Sequence, residues 1–112
     1  MLTVDVLRAW GADTEDGLRR CLNNEAFYLR LVDKAVKDPS FDRLKEAVEG
    51  KDLEKGFEYA HALKGVMANL ALTPILNPVM EITELLRART NMDYTALITE
   101  ILAQRDALLK LL

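Results

Sequence analysis

Cysteine and histidine are scarce in this sequence. It contains one cysteine, Cys21, and one histidine, His61, so that neither an internal disulfide nor a structural zinc site can be assembled. Cys21 is expected to be a small core residue. Apolar runs stay well short of the roughly 18 residues that a membrane-spanning helix needs, and Asp5 interrupts the stretch that a signal peptide would require. The sequence predicts a cytoplasmic protein that neither binds a metal nor contacts a membrane.

Excess positive charge and aromatic residues are lacking as well. The formal net charge is −3 and both signs are scattered along the chain, so no basic surface for nucleic acid is expected. Aromatic residues make up 6% of the sequence, and there are only five glycines and three prolines. Leucine, alanine, glutamate, lysine and arginine dominate, and they favour helices. The 112 residues therefore predict a single all-α domain over 1–112.

Two helices are predicted before the first proline. The first covers about 3–10 and is expected to pack as a lid, with Thr3 as its N-cap and Gly11 as the residue that ends it. Thr14, which two acidic residues follow, begins the second helix. Because apolar residues continue at helical spacing, this helix is predicted to be long and to end near Lys37.

Cap-plus-proline pairs mark the start of two later helices: Asp38-Pro39 and Thr73-Pro74. Gly50 is expected to end the first of these helices, and the second is expected to reach about Arg89. Pro78 lies inside the second helix, so a kink or a late start at Asn77 is predicted. Asn91 is the expected cap of the last helix, whose apolar periodicity continues to the end of the chain.

Between these helices, Asp52 caps a helix over about 53–72 that carries the only histidine. Its apolar residues fall on one side at helical spacing: Gly56, Phe57, Ala60, Leu63, Met67 and Leu70. All predicted connections are short, which makes consecutive helices antiparallel neighbours. The expected fold is an all-α, antiparallel up-and-down four-helix bundle with one or two additional helices.

His61 lies on the solvent flank of this helix when residues are placed about 100° apart. Gly65 is one turn further on the same flank, where a glycine costs about 1 kcal/mol relative to alanine. One explanation is the close approach of another molecule to the imidazole, and the alternative is tight packing within the chain. Lys64 is also one turn away and can neutralise an incoming anionic group, although it can equally be an ordinary solvated charge.

Neutral imidazole is a competent nucleophile near neutral pH. If one ring nitrogen of His61 attacks, the other should carry the proton and donate it to an acceptor, and Glu58, one turn earlier, is the nearest candidate. Glu54 and Ala68 lie on or near the same flank. These residues describe a small, partly charged docking surface around the histidine.

The segment from His61 to Gly65 resembles the His-x-Leu-Lys-Gly signature of histidine-containing phosphotransfer (HPt) domains. Further similarity is found in Gly17-Leu18, in the Phe-Tyr-Leu-Arg-Leu stretch at 27–31, and in the turn at 50–52. The resemblance implies a helical bundle whose exposed histidine relays a phosphoryl group between aspartates of response-regulator receiver domains. Such a domain is a phosphotransfer intermediate, and the chain lacks the glycine-rich loop of an autonomous kinase.

When the family's roles are carried over by position, the resemblance implies that His61 is the phospho-acceptor, Lys64 the helper cation and Gly65 the residue that gives access. Ala68 and Glu54 would then lie at the docking rim. The implied partners are receiver domains and a hybrid sensor histidine kinase. The receiver is expected to hold the Mg²⁺, so that this chain binds no cofactor of its own. A monomer is expected, and the initial methionine and short length favour a free-standing protein.

The sequence also departs from the family pattern. Val66 stands where a serine or alanine is usual, the later Leu-Gly pair appears as Leu70-Ala71, and Pro74 with Pro78 is unusual. These departures leave two alternatives open. The chain can be an HPt-like docking module without phosphotransfer, or a phospho-acceptor served directly by an ATP-dependent histidine kinase.

Overall fold

The computed structural model describes every residue from Met1 to Leu112 and contains only helices and their connections. Seven helices follow one another along the chain: α1 (Val4–Trp10), α2 (Thr14–Arg20), α3 (Glu25–Val36), α4 (Ser40–Glu49), α5 (Leu53–Asn69), α6 (Thr73–Arg87) and α7 (Thr95–Leu109). The predicted all-α fold is confirmed. No helix combines the length and the apolar character that crossing a bilayer requires.

The helix that carries the histidine, α5, is central to the bundle. Its most extensive contacts are with α6 and α4, while α7 packs against α6 and also touches α3. One side of α5 is buried by these neighbours and consists of Gly56, Ala60, Leu63 and Met67. The side chains of Ala60, Leu63 and Met67 belong to a core that extends from Leu7 in α1 to Leu108 in α7. The opposite side of α5 therefore faces solvent.

The single long helix predicted over 14–37 is wrong, because the structure has two helices, α2 and α3, in its place. Between them Leu22 and Asn23 adopt φ values of 58° and 54°, which no right-handed helix contains. Asn24 then caps α3, and its side chain accepts a hydrogen bond from the backbone N–H of Phe27 at 3.0 Å. Asparagine tolerates left-handed conformations and is a strong N-cap, so two consecutive asparagines outweigh the apolar periodicity that runs across the break.

Several predicted helix ends are confirmed. Thr3 caps α1 by accepting a hydrogen bond from the N–H of Val6 at 3.1 Å, and Gly11, at φ 125°, ends this helix. Asp52 caps α5 by accepting from the N–H of Lys55 at 3.1 Å. These caps act within one turn of the chain, which is why the local sequence predicts them.

Two predicted starts are wrong. The last helix begins at Thr95 and not after Asn91, because the carboxylate of Asp93 accepts a hydrogen bond from the N–H of Thr95 at 2.9 Å. The late start of α6 is also wrong, since this helix begins at Thr73 and contains Pro78. The hydrogen bond that Pro78 removes, and the carbonyl that its ring crowds, belong to Pro74 in the first turn of α6, and the helix continues through Pro78.

The C-terminal end of α5 holds the altered Leu-Gly pair and lies at Asn69, slightly before the predicted end at 72. Ala71 adopts φ 56°, the left-handed conformation that glycine takes most easily. The N–H of Leu72 donates to the carbonyl of Met67 at 3.0 Å, as in a Schellman motif. In addition, the buried hydroxyl of Tyr28 in α3 donates to the carbonyl of Leu70 at 2.8 Å. Alanine therefore closes this helix as glycine would, and a second helix holds the end in place.

Candidate functional site

His61 lies on the outer side of α5, in the middle of the helix. Its side chain is exposed, whereas Ala60 and Leu63, its neighbours on the inner side, are fully buried. The helical spacing that places the apolar residues in the core therefore turns the imidazole towards solvent. A foreign side chain can reach the ring.

Gly65 leaves open space one turn beyond His61. A Cβ atom built on Gly65 would meet no heavy atom within 4 Å. By contrast, a Cβ on Gly56, on the buried side of the same helix, would lie 3.4 Å from Val48 and 3.5 Å from Leu86. Tight packing within the chain is thus the wrong explanation for Gly65, although it fits Gly56. The absence of a side chain at Gly65 leaves the surface beside the imidazole open, and no neighbouring part of this chain occupies that space.

Lys64 is half-buried between α5 and α6 and is engaged by an acidic residue of α6. Its Nζ atom lies 3.9 Å from Oε1 of Glu84, whose Oε2 lies 3.3 Å from Nε of Arg87. The Glu84 side chain is 60% exposed, and exposed ion pairs at this distance contribute little to stability. Lys64 is therefore held against α6 by a weak contact only.

The side chain that contacts the imidazole is Phe57, one turn before His61 on α5. The two rings are stacked, with centroids 5.4 Å apart and planes inclined by 12°. The guanidinium carbons of Arg87 and Arg89 lie 4.9 Å and 5.9 Å from the centroid of the Phe57 ring. This group of Phe57, Arg87 and Arg89 was not predicted as part of the site.

A signal for Phe57 existed in the sequence, because residues four apart are neighbours on a helix surface. Its spacing predicted Phe57 to be part of the core stripe, and the structure shows it half-buried at the edge of that stripe. No local signal exists for Glu84, Arg87 or Arg89, since they reach the site from α6 and the residues just after it. Only helix packing brings them to His61.

The remaining predicted residues lie on α5 as the helical spacing requires. Glu54 and Glu58 are exposed and Ala68 is half-buried. The structure places Phe57, and not Glu58, against the imidazole. The role of Glu58 as an acceptor for the ring N–H, and those of Glu54 and Ala68 in docking, stay predictions.

A surface groove of about 840 Å³ runs beside Gly65 between α3 and α5. From α5 it is lined by Gly65, Val66 and Asn69, and from α3 by Leu31 and Lys34, among others. Val66, the residue that departs from the family pattern, is half-buried in this groove. The departure therefore changes the groove beside Gly65, and Val66 also packs against the edge of the core.

Comparison with known proteins identifies the family. A family model described as Hpt domain matches residues 38–111. The chain belongs to the HPt domain family. The match covers α4 to α7 of this HPt domain and all the residues grouped around His61, whereas Gly17-Leu18 and 27–31 lie outside it. No curated protein and no solved structure matches the chain. Membership implies phosphotransfer in a two-component phosphorelay, in which HPt domains interact with response-regulator receiver domains and kinases.

Proposed function

We propose that this HPt domain accepts a phosphoryl group on His61 from the aspartyl phosphate of one receiver domain and passes it to the aspartate of another. The observation that carries the proposal is the open space at Gly65 beside an exposed imidazole. A glycine inside a helix is unfavourable by about 1 kcal/mol, and nothing in this chain uses its lack of a side chain. Access for a partner's phosphorylated aspartate gives that glycine a function.

The transfer is a displacement at phosphorus. A ring nitrogen of neutral His61 forms the new N–P bond while the P–O bond to the receiver's aspartate breaks, and the aspartate leaves as a carboxylate. The second ring nitrogen keeps its proton, so the positive charge formed on the ring is offset by the negative charge of the phosphoryl group. The reverse displacement, by the aspartate of the next receiver, returns the imidazole to its neutral form.

Most of the catalysis comes from positioning, as in other phosphoryl transfers. Lys64 leaves its weak contact with Glu84 and offers its ammonium group to the phosphoryl oxygens. The receiver contributes the Mg²⁺, and this chain contributes no cofactor. The groove beside Gly65, with Val66 and Leu31, provides apolar surface on which the receiver docks.

The proposal is tested with a panel of receiver domains that carry radiolabelled aspartyl phosphate. Incubation with the purified chain is expected to move label to His61, where it is labile in acid and stable in base. His61→Gln should abolish uptake without changing the fold, as judged by circular dichroism. Lys55→Gln, a substitution of an exposed lysine on α5 that makes no contact with the site, is the matched control and should transfer normally.

The same experiment separates the two alternatives. If His61→Gln still binds receivers and the wild-type chain takes no label from any of them, the domain docks without phosphotransfer. If label is taken only when a histidine kinase and ATP replace the phosphorylated receiver, the chain is a direct kinase substrate. Either result would contradict the relay between receivers.

A further inference from the structure

Phe57 occupies an unusual place for a core residue. It is half-buried, and its ring contacts an exposed imidazole on one helix and guanidinium groups that come from α6 and the residues after it. A phenylalanine that served only the core would bury its ring among aliphatic side chains. Phe57 instead joins the nucleophile to a second structural element.

The stack constrains the histidine. An exposed histidine on a helix changes rotamer freely, and only some rotamers direct a ring nitrogen towards an incoming phosphorus atom. Nearly parallel rings, 12° apart in plane with centroids separated by 5.4 Å, restrict both side-chain torsions of His61. Aromatic pairs in this geometry attract each other beyond the burial of their area.

The arginines constrain the phenylalanine in turn. Arg87 lies 4.9 Å from the ring centroid of Phe57, within the range of a cation–π interaction, and Arg89 lies at 5.9 Å. Nε of Arg87 lies 3.3 Å from Oε2 of Glu84, the same residue that contacts Lys64. The orientation of the imidazole and the position of the helper lysine therefore depend on one group of α6 side chains.

We infer that Phe57 is a positioning residue for His61, held by Arg87, and that it keeps the imidazole in a single orientation suited to in-line phosphoryl transfer. The expected effect of Phe57 on the transfer rate rests on the proposed function. Its effect on the orientation of the imidazole rests on the structure alone. In this role Phe57 need not touch the phosphoryl group or the receiver. It acts through the histidine.

The first measurement is made on the free protein and needs no phosphotransfer. A stacked phenylalanine shifts the NMR signals of the His61 ring protons Hδ2 and Hε1 upfield. In Phe57→Leu, which keeps an apolar side chain of similar size, both signals are expected to move towards the values of an unstructured histidine. Phe57→Tyr keeps the stack and should leave them near their wild-type positions.

The second measurement is the rate of label transfer from a phosphorylated receiver. Phe57→Leu is expected to slow transfer by about threefold to tenfold, because the imidazole spends less time in the productive orientation, while the affinity for the receiver stays unchanged. Phe57→Tyr should restore the rate. Arg87→Gln should move the His61 ring signals in the same direction as Phe57→Leu, with a smaller amplitude.

Phe27→Leu is the matched control, since Phe27 is an exposed phenylalanine that also lies near an arginine, Arg30, at 6.0 Å on α3. It should change neither the ring signals of His61 nor the rate. Unchanged ring signals in Phe57→Leu, or a tyrosine variant that behaves like the leucine variant, would overturn the inference. If the wild-type chain accepts no label, the relay proposal fails and the ring signals alone decide whether Phe57 orients the histidine.

Discussion

At the scale of single residues, Gly65 matters to the site because it has no side chain beside the exposed imidazole of His61. Gly65 has no contact to lose and open space around its Cα. The bundle therefore has room for a Cβ atom at this position, whereas a longer side chain is expected to obstruct an approaching receiver. Stability and function are expected to respond to substitution here in opposite directions.

Substitution of Gly65 tests this separation. Gly65→Ala should raise the free energy of unfolding by about 0.5–1 kcal/mol, because alanine is the better helix former, as measured by urea denaturation. Gly65→Gln should fold equally well and slow phosphoryl transfer on the order of 100-fold, since the donor can no longer reach its productive distance. Ala103→Gln, an exposed position on α7, is the control for adding a glutamine to a helix. Normal transfer by Gly65→Gln would show that access does not run past this residue.

Tyr28 determines how α5 ends and gives the stability a dependence on alkaline pH. Its hydroxyl is buried and donates to the carbonyl of Leu70 at 2.8 Å. Tyr28→Phe leaves this carbonyl without a partner and should lower the free energy of unfolding by about 1–3 kcal/mol. Urea denaturation at neutral pH measures the loss, and the matched Tyr59→Phe, at a half-buried position, should cost less.

Burial, above all, raises the pKa of Tyr28 to about 12. The folded state then keeps a proton that the unfolded chain releases near pH 10. The stabilisation is fully present below about pH 10 and is lost as the pH rises through about 12. Wild-type stability should decline over this window more steeply than that of Tyr28→Phe, and parallel curves would contradict the assignment.

At the scale of elements, caps and breaks determine where each helix begins. The start of α5 matters most for the site, because the rotation of α5 about its axis determines which of its residues face solvent. Asp52→Ala should lower the free energy of unfolding by about 1 kcal/mol, the usual cost of losing an N-cap. Thermal unfolding followed by circular dichroism measures the loss.

Asp52→Asn is the matched variant for that experiment, since asparagine caps helices as well as aspartate. It should unfold close to the wild-type temperature. Both variants should transfer label normally at a temperature at which they are folded. An equal loss of stability in the two variants would show that charge, and not the hydrogen bond to Lys55, is what Asp52 contributes.

The elements also show where periodicity misleads. The apolar spacing over 14–37 predicted one helix, and the structure has α2 and α3, because Asn23 and Asn24 favour a left-handed turn followed by a cap. Gly17 on α2 also favours two separate helices. A Cβ on Gly17 would lie 2.6 Å from Cε1 of Tyr28, so the break lets α3 fold back and place Tyr28 against α2. A contact between two helices cannot be read from the periodicity of either one.

At the scale of the whole molecule, the core joins helices from both ends of the chain, from Leu7 in α1 to Leu108 in α7. The prediction of a single domain over 1–112 therefore has a direct test. The only tryptophan, Trp10, is in α1, so its fluorescence reports on the N-terminal helix and far-ultraviolet circular dichroism reports on all helices.

The two signals should change together in urea, as in a two-state transition. An earlier fluorescence transition would show that α1 unfolds separately from the rest. Trp10→Phe, followed by circular dichroism, controls for any effect of the indole on stability. Its midpoint should remain close to that of the wild-type chain.

The sequence by itself determined the helical class, most helix ends and the line of His61, Lys64 and Gly65 along one flank of a helix. Caps, propensity and spacing act within one or two turns, so local sequence is enough to predict them. The family match to 38–111 covers this same region.

Only the tertiary structure decided that Gly65 opens to solvent while Gly56 packs, and that α6 brings Glu84 to Lys64 and Arg87 to Phe57. These pairs, 20 and 30 positions apart in the chain, meet because apolar burial aligns α5 with α6, and the polar residues on the rims of those helices follow the core. His61 thus lies on α5 alone, whereas the side chains grouped around it come from both α5 and α6.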